Sequence, residues 1–140
     1  MEIKTPEILI VEDEEMIRML ARAILERDEY FKKFDIKEFS DGTACRAHLD
    51  NSFNPKNLAS FISDYKMPGM NGMELIDYAC VHREVKPTSC VFMSGNAAYV
   101  EGFQEFMDRR SGVLFLQKPF SPSDFLDSVR GAVVESGYGQ

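Results

Sequence analysis

Short apolar runs alternate with longer amphipathic stretches along the whole chain. Glu7 to Val11 (EILIV), Asp35 to Phe39, Leu58 to Ser63, Ser89 to Met93 and Gly112 to Leu116 are brief, rich in branched or aromatic residues, and bounded by turn formers, which predicts five strands. Between them the period lengthens. A helix is expected from about Glu14 to Arg27, with Met16, Ile17, Leu20, Ile24 and Leu25 facing the core. A second runs from Asp41 and Gly42 through about Asn51 on Ala44, Ala47 and Leu49, and a third from Met73 to Arg83 on Leu75, Ile76 and Ala79. The fourth, Ala97 to Asp108, carries an aromatic stripe of Tyr99, Phe103, Phe106 and Met107. Ser121, Pro122 and Asp124 supply a helix cap, a first-turn proline and a capping-box acid, and so open a fifth helix through about Glu135.

Strand and helix therefore alternate five times, the pattern of a parallel sheet covered on both faces. The second strand is the most polar, which suits a sheet edge. Right-handed crossovers and this element count favour a doubly wound α/β sheet of five parallel strands in the order 2-1-3-4-5, a flavodoxin-like (βα)5 arrangement. A chain of 140 residues is expected to form a single domain, 1–140, with its folded core at about 7–135.

Composition narrows the classes of function. A formal charge of -7 repels a phosphate backbone, so direct binding of nucleic acid is not expected. No apolar run is long enough to cross a bilayer, and no secretory leader is apparent; a cytoplasmic protein is expected. Cys45, Cys80 and Cys90 are odd in number and lack CxxC spacing, which argues against a disulfide framework or a zinc site. His48 and His82 lie on predicted helices without partnered ligands and are read as surface or helix-end residues.

Chemistry gathers where the strands end. The first strand runs into Glu12, Asp13, Glu14 and Glu15. Glu14 and Glu15 complement the dipole of the next helix, but Glu12 and Asp13, at the strand tip, have no such role. The third strand delivers Asp64 just before Tyr65, Lys66, Met67, Pro68 and Gly69 stop it. The fourth ends at Ser94, and the fifth at Gln117, Lys118 and Pro119. In the expected strand order these tips share the crevice where open α/β sheets bind ligands. Three carboxylates there repel by about 4 kcal/mol per pair at ~4 Å and an effective dielectric near 20. A hard divalent cation relieves that repulsion, and Mg2+ held by Glu12, Asp13 and Asp64 fits better than zinc. Asp64 can then act as a carboxylate nucleophile on phosphorus, with Lys118 and the Ser94 hydroxyl holding the transferred oxygens.

Four motifs, ILIVEDEE, SDYKMPGMNG, VFMSG and LQKPF, in this order and each at a strand tip, resemble those of the receiver domain of two-component response regulators, and the resemblance covers about Glu7 to Glu135. It implies that Asp64 is phosphorylated from a phosphohistidine of a sensor histidine kinase or histidine phosphotransfer protein, with Mg2+ required. It also implies that the Lys66 backbone carbonyl is a metal ligand and that the Lys118 to Pro119 bond is cis. Ser94 stands where the family often has Thr, Glu12 where Asp is commoner, and Phe115 at the switch aromatic that is frequently Tyr. Ser94 and Phe115 are thus the expected switch residues. They would remodel a face of the fourth helix, fifth strand and fifth helix for a downstream protein, involving Asn96, Tyr99, Phe103, Phe115 and Pro119. Lys66 and Asn96 flank the expected path of attacking water and are equally well read as solvated surface groups.

Readings from other classes are weaker. A haloacid dehalogenase-type phosphatase needs a second Asp two positions after the nucleophile, where this chain has Lys66. A flavodoxin-like cofactor binder needs a phosphate-cradling loop where this chain has EDEE. A receiver-like binding module that works without phosphorylation is the main alternative. With no output domain after the last helix, the chain is expected to be a single-domain regulator or a fragment of a larger protein.

Overall fold

The computed structural model describes residues 5–96 and 100–138. Its strands are β1 (Glu7–Val11), β2 (Asp35–Phe39), β3 (Leu58–Asp64), β4 (Cys90–Ser94) and β5 (Leu114–Gln117). Its helices are α1 (Glu15–Arg27), α2 (Gly42–Asn51), α3 (Gly72–His82), α4 (Phe103–Arg109) and α5 (Pro122–Glu135). All strand pairs are parallel and the order is β2-β1-β3-β4-β5, as the alternation predicts.

Every residue of β1, β3 and β4 is buried, which follows from their near-continuous apolar sequence. Alternate side chains serve two cores. Ile8 and Ile10 pack with Ile62, Val91, Met93 and the inner faces of α1 and α5. Leu9 and Val11 pack with Phe61, Phe92 and the inner faces of α2, α3 and α4. A register slip of one residue would exchange the two sets, so the alternation also fixes how far each strand tip projects.

The helices differ from expectation in detail. On α1 it is Ala21 and Leu25 that are fully buried, whereas Met16 and Leu20, expected in the core, are 83% and 51% exposed. The apolar stripe of α1 is wider than the sheet can cover, and its outer edge is left in solvent. On α2, Gly42, Cys45 and Leu49 face inward, while Ala44 and Ala47 are exposed. The expected start of the fourth helix, Ala97, lies outside the described residues; α4 begins at Phe103, because Gly102 sits in the left-handed region (φ 80°) and holds residues 100–102 in a turn. Tyr99 lies outside the described residues. Of the rest of that stripe, Phe106 is fully buried, and Phe103 and Met107 are half-buried. β5 starts at Leu114, after Gly112 (φ 109°) has turned the chain.

The entry to α3 explains how Asp64 is presented. Asn71 caps the helix in a reciprocal box, accepting from the Glu74 amide at 2.9 Å while the Glu74 carboxylate accepts from the Asn71 amide at 3.1 Å. Gly72 then passes so close to β3 that a Cβ there would lie 2.1 Å from the Asp64 carbonyl oxygen. Replacing Gly in a helix by Ala ordinarily stabilises by about 0.5–1 kcal/mol. Here Gly72→Ala is expected to do the opposite and to destabilise by roughly 1–3 kcal/mol through overpacking. The midpoint of urea unfolding reads the sign directly.

Candidate functional site

The sheet register assembles the site. Val11 pairs with Ser63, Asp64 with Met93, and Ser94 with Gln117, so the residues that end or follow each strand come together at one end of the sheet. A cleft of about 720 Å³ opens there, with Asp13, Asp64, Lys66, Ser94, Asn96 and Lys118 in its wall. Glu12 lies beneath it, fully buried.

Lys118 is the centre of the charge arrangement. Its Nζ donates to Glu12 Oε1 at 2.7 Å and lies 2.9 Å from Asp64 Oδ1, with only 14% of the side chain exposed. The turn carrying it is fixed by its backbone amide, which donates to the Ser94 carbonyl at 3.0 Å, and by a cis bond from Lys118 to Pro119, as the resemblance implies. Burial alone would lower the Lys118 pKa, but hydrogen bonds and charge attraction from Glu12 and Asp64 outweigh it and the pKa is raised. Burial pushes the Glu12 carboxyl up to about 8; the nearby Asp64 adds to the rise and Lys118 opposes it.

Two acids thus share one ammonium, and a third stands beside them. Glu12, Asp13 and Asp64 each offer an oxygen, all within 4.8 Å of one another. Glu12 Oε2 is buried with no hydrogen-bond partner among the described residues. An unpartnered carboxylate oxygen in an all-oxygen cluster fits a hard divalent cation, which would satisfy it while Lys118 keeps Oε1. Asp13 is exposed and so leaves the cluster open to solvent on one side.

Other predicted residues fall into place around this cluster. Ser94 is buried at the end of β4, and its Oγ accepts from the Asn96 amide at 3.3 Å. Lys66 and Asn96 are exposed on the cleft wall. Phe115 is half-buried against Phe103 and Phe92, with ring centroids 5.2 and 6.3 Å away.

Arg18 is a site neighbour that sequence reasoning did not single out. From the first turns of α1 its Nη1 donates to the Glu12 carbonyl at 2.7 Å, and its Nε lies 3.5 Å from Glu38 Oε1 on β2. Glu38 in turn takes Arg22 at 2.7 Å. His48 lies in the last turn of α2, a helix-end position as expected, but it is not a surface residue. Its side chain is only 11% exposed, and Nε2 lies 3.0 Å from Glu7 Oε2, at the opposite end of β1 from the site. The reason is that α2 folds over β1 and β2 and carries His48 onto Glu7 and the Phe39 ring.

A parallel five-stranded sheet with acids, a hydroxyl and a lysine at converging strand ends defines a signalling receiver. The chain belongs to the response regulator receiver domain family, which it matches over residues 8–130. It is 33% identical over 128 residues to the transcriptional regulatory protein SrrA of Staphylococcus aureus, covering 89% of this chain and 46% of that protein. The chain thus spans about half the length of the curated relatives it matches. Among solved structures it is similar to a CheY-like receiver domain protein from Methanospirillum hungatei, at TM-score 0.75 and 21% identity over 98% of this chain and 100% of that one. The chemotaxis protein CheY4 of Vibrio cholerae gives TM-score 0.72 and 20% identity, over 91% of this chain and 98% of that one. Receiver domains are phosphorylation switches of two-component systems and generally bind Mg2+ at an acidic site. Among the described residues, no helix is long and apolar enough to cross a membrane.

The raised Glu12 pKa makes the metal-free fold pH-dependent. A carboxyl of ordinary pKa 4.5 that rises to about 8 on folding contributes stability that is fully present below 4.5 and lost as pH climbs through 8. The metal-free protein is expected to lose on the order of a few kcal/mol from this group across that window. Glu12→Gln should flatten this part of the profile, read as unfolding midpoint against pH in the presence of a chelator.

Proposed function

We propose that this chain is a phosphorylation-controlled switch that takes a phosphoryl group onto Asp64 from a phosphohistidine. The observation that carries the reading is the placement of Lys118 Nζ between Glu12 and Asp64, beside the unpartnered Glu12 Oε2. Residues 1–140 are read as one receiver unit with its core at about 7–135. Its only catalysis is the gain and loss of its own phosphoryl group, and its place is the cytoplasm.

Each residue has a role in that reading. Glu12, Asp13, Asp64 and the Lys66 backbone carbonyl would hold Mg2+, which would neutralise the acids and draw charge from the phosphoryl oxygens. Asp64 attacks phosphorus as the P–N bond to the donor histidine breaks, the imidazole nitrogen leaves with the electron pair, and Asp64 becomes the acyl phosphate. Lys118 already reaches Asp64, and as a compact point charge it moves its contact to a phosphoryl oxygen. The Ser94 hydroxyl donates to a second oxygen and gives up the Asn96 amide. Movement of Ser94 toward the phosphoryl group opens space beside Phe92, and Phe115 follows inward from its present contact with Phe103. The face of α4, β5 and α5 is remodelled in consequence, and a downstream protein reads it. The donor is a sensor histidine kinase or a histidine phosphotransfer protein.

Intact mass after incubation with Mg2+ and acetyl phosphate tests the reading. The native chain should gain one phosphoryl group only when Mg2+ is present, and Asp64→Ala should gain none. Lys118→Ala and Ser94→Ala should slow the gain by at least about tenfold, since each removes a positioned donor. A folded protein that takes no phosphoryl group from acetyl phosphate or from a phosphorylated histidine phosphotransfer protein would leave a binding module that works without phosphorylation.

A further inference from the structure

The main chain that carries Glu12 and Asp13 is anchored twice to the edge strand β2. The Glu12 amide donates to the carbonyl of Phe39, the last residue of that strand, at 3.1 Å. One peptide later, the Glu12 carbonyl accepts from Arg18 Nη1 at 2.7 Å, and Nε of the same guanidinium lies 3.5 Å from Glu38 Oε1. Two successive peptide units are thus pinned to neighbouring residues of β2, one directly and one through a side chain of α1. Glu38 is held in turn by Arg22 Nη1 at 2.7 Å, and the Arg18 side chain is only 17% exposed, so the brace is shielded and its root is fixed.

The second anchor bears most on Asp13. A peptide unit is planar, so fixing the Glu12 carbonyl oxygen also fixes the direction in which the Asp13 Cα leaves it. The carboxylate of Glu12 has its own restraint, because Lys118 Nζ donates to Oε1 at 2.7 Å. The Asp13 carboxylate is exposed and has no hydrogen bond or ion pair among the described residues. Its place beside Glu12 and Asp64, with oxygens of all three within 4.8 Å, therefore depends on the backbone that delivers it.

We propose that Arg18, braced on Glu38, is a positioning residue that sets the preference of the cleft for Mg2+ over the larger Ca2+. The proposal rests on the reading that Glu12, Asp13 and Asp64 hold a divalent cation. Mg2+ demands near-octahedral oxygen ligands at short distances, whereas Ca2+ accepts a variable number at longer and looser ones. Releasing the Glu12 carbonyl frees the Asp13 carboxylate to drift from the other two acids, and that loosening penalises Mg2+ far more than Ca2+. Arginine suits the task because its planar fork spans a carbonyl and a carboxylate in fixed relation. A lysine ammonium on its flexible stem does not.

The test is calorimetric titration of the full chain with MgCl2 and, separately, with CaCl2, for the native protein, Arg18→Ala, Arg18→Lys and Glu38→Gln. The quantity read is the ratio of the two affinities. Arg18→Ala should lower the Mg2+ to Ca2+ ratio at least about tenfold, the usual cost of removing a group that orients a metal ligand. Arg18→Lys should fall between it and the native chain, and Glu38→Gln should lower the ratio in the same direction. Loss of a nearby charge acts on two divalent cations alike. Arg18→Ala and Glu38→Gln moreover change the local charge in opposite senses, so a fall in both reports geometry. Circular dichroism in the presence of a chelator identifies the folded variants; should Arg18→Ala not fold, Arg18→Lys and Glu38→Gln decide. An unchanged ratio in the folded variants would overturn the proposal and leave the metal reading standing. A native chain that binds neither cation would overturn both.

Discussion

The placement of one ammonium between two carboxylates governs the end of this fold where the strand tips converge. Parallel strands that end side by side bring their tip residues together whatever those residues are, and here β1 and β3 bring Glu12 and Asp64. Without a cation between them the register of the sheet would force like charges into contact. Lys118 supplies that cation from the end of β5, on the far side of β4 from Asp64. The lysine therefore senses the order of the whole sheet, since its reach to Glu12 depends on β3 and β4 lying between in the correct sequence.

That arrangement leaves the site incompletely neutralised. Lys118 occupies one oxygen of Glu12 and leaves the other buried and unpartnered, and the high pKa of Glu12 expresses the same deficit. A carboxyl at this depth has two ways out, a proton or a second cation. Glutamate in place of the shorter acid adds one methylene of reach, which lets its buried head contact Lys118 while its backbone stays at the strand tip. Polar incompleteness of this kind is uncommon in stable cores and belongs where a ligand is meant to enter.

Much of this was legible from sequence, for identifiable reasons. β1, β3 and β4 are buried on both faces, so their apolar runs are nearly unbroken, and the acids, hydroxyl and lysine that end such runs stand out. The α1 face was misread because Met16, Ile17, Met19, Leu20, Ala21, Ile24 and Leu25 surround more than half the helix, and periodicity alone does not choose which part of so broad a stripe meets the sheet. On α2 the small alanines matched the period, while Cys45, weighed only for its redox chemistry, was the residue that packed. The start of α4 turned on the backbone conformation of Gly102, which no side-chain pattern records. Contacts such as His48 to Glu7 or Arg18 to Glu12 join residues of unrelated elements or unlike atoms, and neither leaves a local signature.

Arg18 reaches the carbonyl of Glu12, not its carboxylate. The position of the acidic strand tip in space is therefore set through the main chain, by a guanidinium braced on Glu38, while the side chains of Glu12 and Asp13 remain uncommitted to that task. Scaffolding and charge are thereby assigned to different atoms of the same residue. A change in the acids alters what the cleft can bind, whereas a change in Arg18 releases the main chain that carries them. The two properties therefore reside on different atoms, so the chemistry of the strand tip can be varied over one backbone position.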